Sequence, residues 1–535
     1  MAVGSRPREA LPGTIEDLLF EQVRRVRPRE VNLEITLDSS LYEIGLDSLM
    51  QMEVLNGLEE ALGMRFSEES LYEMQTCRDV VEYVEAHAAG GGLPRASAMA
   101  SAVPAVCAPA DSPPVRGIYR PQGDPTEFPE CVAFQERLAG AAAAGLENPF
   151  FRCKERVDKA TVTVAGREAV SYTSFDYLGL AGHPRVIAAA KEALDRLGAS
   201  ASASRLVGGN HAVVQQLDEA IARFVGTEAA VVFPSGYGTN ASVFGHLFGA
   251  EDLILYDELA HNSIVQGALL AKAQRRSFRH NDFRCLDRLL RDIRGNYRRV
   301  VVAIEGVYSM DGDYPDLPRF IEVKQRHGAM LYVDEAHSIG VMGATGRGLC
   351  EHFGVDPADG DFWMGTISKA LASGGGYLAG RGILIQYLKY TTPAFVFATA
   401  ISPANAAAAL EAIRLIDEQP DRVSRLRERS QLFLKLAADS GLDTGNSRDT
   451  PVIPIILGDS RRSIQVVAQL LREGIDAQPI LYPAVPESKS RIRFFVTAAH
   501  TEEQICRTVQ VLADCIAASE RDCKWPCGDA EPRCE

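Results

Sequence analysis

Apolar residues change their spacing twice along the 535-residue chain. In the first stretch they recur every three or four positions. Ile15, Leu18, Leu19, Val23 and Val26 share one helix face, and so do Leu49, Met52, Leu55, Leu58 and Leu62. Cys77 to His87 supplies a third helix, and the loop VNLEITLDSSLYEIG separates the first two. Residues 14–88 therefore predict a small all-α bundle. From 89 to 129 the periodicity disappears. The run AAGGGLPRASAMASAVPAVCAPADSPP is built from Ala, Gly, Pro and Ser, the composition of a flexible linker. From 130 to 518 the pattern is different again. Ala229–Phe233, Leu253–Tyr256, Val300–Ile304, Met330–Val333 and Phe362–Gly365 are apolar at nearly every position, as strands buried on both faces of a parallel sheet are. Helical stretches such as 212–225 lie between them, which predicts an α/β fold with a large domain at about 175–415. A hairpin, TVTVAGREAVSY with its turn at Ala165-Gly166, precedes it. An Ala-rich helix at 404–416 leads into a smaller α+β domain at about 420–518, where VIPIILG and SRIRFFVTAAHT suit a small mixed sheet. Residues 519–535 read as a disordered tail.

Composition narrows the function classes. Hydrophobic residues make up 46% and charged residues 24%, as in ordinary globular proteins. The net charge of −15 and pI of about 5.3 argue against nucleic acid as a partner. Residues 14–88 hold 17 acidic and 6 basic side chains, so a net −11 sits in the first sixth of the chain. MAVGSRPREALPG has no apolar signal core, and no run approaches the roughly 20 apolar residues of a membrane helix. The eleven cysteines are odd in number and scattered, which suits a reducing cytoplasm. Cys523, Cys527 and Cys534, without a His or a paired CxxC, make a poor metal site, and no metal is expected.

The chemistry concentrates at strand ends. Met330–Val333 delivers Asp334 and, three residues on, His337; Phe362–Gly365 delivers Thr366, Ser368 and Lys369. Ligands of open α/β sheets sit at the carboxyl ends of the strands. One acid, one imidazole, two hydroxyls and one amine should converge there. That set fits pyridoxal 5'-phosphate (PLP). A lysine amine holds an aldehyde cofactor as an imine. An aspartate keeps the pyridine nitrogen protonated, a histidine donates to the phenolic oxygen, and hydroxyls at a helix start suit the phosphate. Asp334 alone would equally suit a salt bridge; the ordered set is what carries the reading.

VDEAHSIGVMGATGRG and GTISKALASGGGYLAG resemble the α-oxoamine synthase family of PLP enzymes, which includes 8-amino-7-oxononanoate synthase and serine palmitoyltransferase. The resemblance covers roughly residues 145–515 and implies a fold-type I PLP-dependent transferase acting as a homodimer. It assigns Lys369 to the cofactor imine and Asp334 to the ring nitrogen. His261, in DELAHNSIVQGA, stacks on the ring. Ser309, in EGVYSMDGD, joins His337 at the phenolic oxygen. Gly236 and Tyr237, in PSGYGTN, form the phosphate cradle with Thr366 and Ser368, and Thr399 reaches a phosphate across the dimer interface. Arg493 grips the substrate carboxylate. Lys369, His261 and Asp334 are the catalytic set. The chain departs from the family pattern at Phe175, where an Asn is usual, at Val214, where a His is common, and at Ala398 and Ala484.

Gly45-Leu46-Asp47-Ser48-Leu49 resembles the attachment motif of acyl and peptidyl carrier domains, whose serine bears 4'-phosphopantetheine. A serine at a helix start also serves as a cap, but a phosphodiester there gains from the N–H groups and the dipole. The two resemblances together imply condensation of glycine, alanine or serine with an acyl thioester carried on Ser48, with loss of carbon dioxide, giving an α-amino ketone in a polyketide-type secondary pathway. A phosphopantetheinyl transferase and upstream synthase enzymes would be partners. Two other readings stay open at this point: a synthase using free acyl-CoA, and a carrier scaffold with a non-catalytic PLP region. An ordinary aminotransferase would need no thioester.

Overall fold

The computed structural model describes residues 14–26, 76–89, 124–482 and 484–522, and single positions between 35 and 74. In the first region, α1 (Ile15–Val26) and α2 (Cys77–Ala89) bury Leu19, Val23, Val80 and Val84 in one small core with Leu55 and Leu58. Ser48 lies outside the described residues.

A seven-stranded sheet forms the centre of the larger region. Its strands are β4 (Ala229–Phe233), β5 (Asp252–Asp257), β6 (Gln274–Phe278), β7 (Arg299–Glu305), β8 (Met330–Asp334), β9 (Phe362–Thr366) and β10 (Gly376–Gly380), ordered β4-β10-β9-β8-β7-β5-β6. All pairings are parallel except those of β10, which runs antiparallel to both neighbours. The unbroken apolar runs now have a reason. Alternate residues enter two different cores: Leu253, Leu255, Val300, Val302, Leu331 and Val333 face one side, while Ile254, Val301, Ala303 and Tyr332 face the other. Helices α4 (Pro184–Leu197), α5 (Ala212–Val225), α8 (Phe283–Ile293), α9 (Leu317–His327) and α10 (Pro403–Glu418) cover the first face, and α6 (Gly236–Leu247) and α7 (Asn262–Leu270) the second.

A second lobe packs Tyr172, Phe433, Ile453, Val466 and Phe494 into its own core. Here the architecture departs from the expectation. The VIPIILG and SRIRFFVTAAHT segments, as β11 (Val452–Ile456) and β14 (Arg491–Phe495), join β13 (Gln478–Ile480) in a three-stranded sheet that is antiparallel throughout. The mixed pairing belongs to another sheet. The hairpin strands β1 (Lys154–Asp158), β2 (Thr161–Val164) and β3 (Arg167–Ser171) extend by a parallel contact of β3 with β12 (Ile475–Asp476). Both central residues of the β2–β3 turn, Ala165 and Gly166, have positive φ (49° and 71°), the twist a two-residue hairpin needs. A chain-distant segment therefore completes the smaller lobe.

Two boundaries also shift. A short 3₁₀ turn at Pro125–Glu127 and α3 (Pro129–Ala143) begin within and at the edge of the expected linker, of which residues 90–123 lie outside the described set. Residues 519–522, expected in the disordered tail, form the last turn of α11 (Glu502–Asp522). Among the described residues no helix is long and apolar enough to cross a membrane.

Candidate active site

The carboxyl ends of β7, β8 and β9 and the starts of α6 and α7 surround a cavity of about 250 Å³. Gly236, Tyr237, His261, Asp334, His337, Thr366, Ser368 and Lys369 all line it. The strand ends pointed to Asp334, His337, Thr366, Ser368 and Lys369, and the family resemblance to Gly236, Tyr237 and His261.

Asp334 ends β8 and is buried. One carboxylate oxygen accepts from the Ala336 N–H (2.9 Å), the other from Asn240 Nδ2 (2.7 Å). Asn240 sits one turn into α6, and its Oδ1 accepts from the Tyr332 hydroxyl (2.7 Å) while Nδ2 also reaches Ser263 Oγ (2.8 Å). Its amide orientation is thereby set at both ends. Ser263 Oγ meets His261 Nδ1 at 2.7 Å, and the His261 N–H donates to Glu305 Oε1 at 2.6 Å. His261 is the N-cap of α7, so helix start and cavity wall are one residue.

Lys369 Nζ lies 2.7 Å from His337 Nε2, and His337 Nδ1 meets the Tyr177 hydroxyl at 2.6 Å. Burial depresses the Lys369 amine to about 8, an effect that Asp334 and Glu305 partly offset. Burial, reinforced by the positive charge of Lys369, holds His337 well below the ordinary histidine value, so it is neutral and presents one donor and one acceptor. His261 is lowered by burial too. Glu305 is pushed well above the ordinary carboxyl value by burial and by Asp334.

At the other end of the cavity, the first N–H groups of α6 have no acceptor within the helix. Ser235 Oγ caps that end through the Gly238 N–H (3.2 Å). Thr366 Oγ1 lies 2.6 Å from Ser368 Oγ and donates to the Gly375 carbonyl (2.8 Å). Position 236 is tight: a Cβ there would sit 3.0 Å from Thr366 Oγ1.

Three expected site residues stand apart from this cavity. Arg493 lies on β14, the central strand of its sheet, and is not an edge residue. Its Nη1 donates to the Ser309 carbonyl (2.9 Å) and approaches Met310 Sδ (3.2 Å); its guanidinium lies 4.6 Å from the Phe495 ring centre, and its buried Nε has no partner. Burial lowers it to about 10. Among the described residues no carboxylate pairs with it. Ser309 thus enters through its backbone, holding Arg493, and its hydroxyl does not line the cavity. Thr399 is exposed and away from the cavity of its own chain. Phe175, the departure from the family's Asn, puts its ring 5.5 Å from Lys369 Nζ and packs edge-on against His337 and Phe495.

Asn240, Tyr177, Ser263 and Glu305 complete the site without having been singled out. Asn240 had a signal in the sequence, since it follows Gly236 by four residues and so shares its helix face. Glu305 ends an apolar run as Asp334 does. Tyr177 had none, because 160 residues separate it from His337.

The donor set fits PLP. An anion-binding helix start with two hydroxyls, a fixed carboxylate, a neutral imidazole and a depressed amine enclose one cavity.

Comparison with known proteins agrees. Residues 169–512 match the family described as aminotransferase class I and II, and residues 23–84 match the phosphopantetheine attachment site. The 8-amino-7-oxononanoate synthase of Symbiobacterium thermophilum is 40% identical over 378 residues, covering 71% of this chain and 96% of that protein. That of Bacillus subtilis is 38% identical over 358 residues, covering 67% and 91%. Among solved structures, Sphingomonas wittichii serine palmitoyltransferase has a TM-score of 0.70 at 30% identity, covering 74% of this chain and 99% of its own. A serine palmitoyltransferase structure with PLP bound as its internal aldimine has a TM-score of 0.69 at 28% identity, with 74% and 98% covered. The cofactors are those of the two matched regions, PLP and 4'-phosphopantetheine. The chain belongs to the class I and II aminotransferase family, in its α-oxoamine synthase branch of PLP-dependent acyltransferases, with a phosphopantetheine carrier region ahead of the catalytic fold.

Proposed function

We propose that this enzyme joins a small amino acid (glycine, alanine or serine) to an acyl group held as a thioester on 4'-phosphopantetheine at its own Ser48. The observation that supports this most is that one chain carries both a carrier region and an oxoamine synthase. A tethered donor is favoured because short flexible tethers give effective concentrations on the order of millimolar.

Each residue has a definable task in this reading. Arg493, half-buried, with a buried unpartnered Nε and no carboxylate partner among the described residues, receives the carboxylate of the amino acid. Lys369 would hold the cofactor as an imine, and its free amine would take the proton from Cα; an amine of pKa about 8 is a competent base near neutral pH. Asp334, fixed by Asn240, faces the ring nitrogen, and His337, fixed by Tyr177, faces the phenolic oxygen with the neighbouring Ser309 segment. His261, aligned by Glu305 and Ser263, covers the ring. Gly236, Tyr237, Thr366 and Ser368 hold the phosphate, and Thr399 contributes to the phosphate site of the partner in a homodimer. PLP supplies the electron sink for the pair left at Cα. A bond forms between Cα and the acyl carbonyl carbon as the C–S bond breaks, the departing thiolate taking a proton from solvent, and the carboxyl group leaves as carbon dioxide, its bonding pair staying at Cα, which Lys369 reprotonates. The product is an α-amino ketone. Phe175, with its ring 5.5 Å from Lys369 Nζ and edge-on to Phe495, puts an apolar group beside the lysine.

A phosphopantetheinyl transferase and upstream synthases would load Ser48, in a cytoplasmic, polyketide-type pathway. The test is mass spectrometry of chains loaded with an acyl thioester at Ser48 and incubated with a panel of amino acids. The expected result is loss of the acyl mass from Ser48 with appearance of the amino ketone, abolished by Ser48→Ala. Full retention of acyl mass with every amino acid, alongside turnover of free acyl-CoA by Ser48→Ala, would assign the carrier to another protein.

A further inference from the structure

The chain is acidic overall, yet residues 272–299 hold ten Lys and Arg against three Asp, a net +7. Three of these arginines, Arg284, Arg288 and Arg291, lie on α8, whose buried stripe of Leu286, Leu290 and Ile293 packs on the sheet and leaves them outside. A groove of about 290 Å³ runs between α8 and α9. Its rim has four arginines, Arg284, Arg288, Arg319 and Arg326, and two carboxylates, Asp287 and Glu322. Both carboxylates are engaged, Glu322 by Arg319 (2.8 Å) and Asp287 by Arg326 (2.6 Å). Arg284 and Arg288 are exposed and have no carboxylate partner among the described residues.

The groove is also well placed. α8 follows β6 directly, and α9 follows the loop after β7 that holds Arg493 through Ser309 and Met310. Arg284 and Arg319 lie in the first turns of these helices. They therefore sit at the same carboxyl edge of the sheet as the Lys369 cavity.

We infer that the α8–α9 groove is the docking surface for the chain's own carrier region, residues 14–88. Its net −11 complements the groove, and charge complementarity governs encounter and orientation more than final affinity. The inference rests on the proposed use of the Ser48 thioester. The other anionic occupant is the phosphate-bearing end of free acyl-CoA, and the experiment separates the two.

The experiment uses the full-length PLP-bound chain with Arg284→Glu and Arg288→Glu combined, and with the milder Arg284→Gln and Arg288→Gln pair. One arm follows single turnover of an acyl group on Ser48. The other follows turnover of soluble acyl-CoA on a Ser48→Ala background. The docking surface predicts an approximately tenfold fall in the first arm at low salt, a smaller fall for the glutamine pair, and loss of the wild-type salt dependence. The acyl-CoA arm and the visible absorbance of the cofactor stay unchanged. An undiminished first arm overturns the docking surface while leaving the proposed function standing. A fall confined to the acyl-CoA arm assigns the groove to that ligand instead. If the wild-type chain itself leaves the Ser48 acyl group untouched, the proposed function fails and the docking surface with it.

Discussion

Replacing Arg493 by Met should make the protein more stable and less able to bind its amino acid. Burial holds this guanidinium at about 10 instead of 12.5, which corresponds to about 3 kcal/mol against the charged form. Its hydrogen bond to the Ser309 carbonyl returns about 1 kcal/mol. Methionine removes both contributions and fills similar volume against Phe495, so the net gain is about 2 kcal/mol. The penalty is present at every pH below about 10, so denaturant unfolding at neutral pH reads it directly. The activity moves the other way. A bidentate, charge-assisted pair with a carboxylate contributes about 3–4 kcal/mol, so kcat/KM for the amino acid should fall about 10²- to 10³-fold, chiefly through KM. Arg493→Lys keeps the charge but not the fork and should recover only part of that loss. The reasoning is refuted if Arg493→Met lowers stability by more than about 1 kcal/mol, since the arginine would then be a structural tie for the 306–313 loop. An unchanged KM would place the carboxylate elsewhere.

Covalent capture of PLP by the cofactor-free protein needs a neutral Lys369 amine, so its rate should rise with pH and level off above about 8; growth of visible absorbance after mixing measures this, and a flat rate from pH 7 to 9 would count against it. His280 bridges Asp257 (2.8 Å) and Asp313 (2.9 Å), and those carboxylates raise it to about 10. A folded value above the unfolded 6.5 means its contribution is complete below pH 6.5 and lost as pH rises to about 10. The stability difference between the wild type and His280→Gln should therefore shrink across that window, and a pH-independent difference would rule out the charged histidine. A Cβ on Gly376 would come within 2.5 Å of Gly236 Cα and 2.7 Å of Thr239 Oγ1. Gly376→Ala should cost about 1–3 kcal/mol and weaken PLP binding by distorting the α6 start; fluorescence titration showing wild-type affinity would contradict this.

The sequence alone determined the alternation of strands and helices, because burial on both faces of a sheet demands unbroken apolar runs and that demand is local. It likewise determined which strand ends carry chemistry, since Asp334, His337 and Lys369 stand immediately after such runs. The same local logic misjudged the smaller lobe. Pairing of β3 with β12 joins residues about 300 positions apart, and nothing in either segment announces the other. Packing decided the rest. It brought Tyr177 to His337 and Asn240 to Asp334, turned Ser309 toward Arg493 by its carbonyl, and left Thr399 outside the cavity of its own chain. It also made Arg493 a half-buried central-strand charge. Periodicity records which face of an element is covered; which distant side chain covers it, and at what distance, is settled only when the whole core closes.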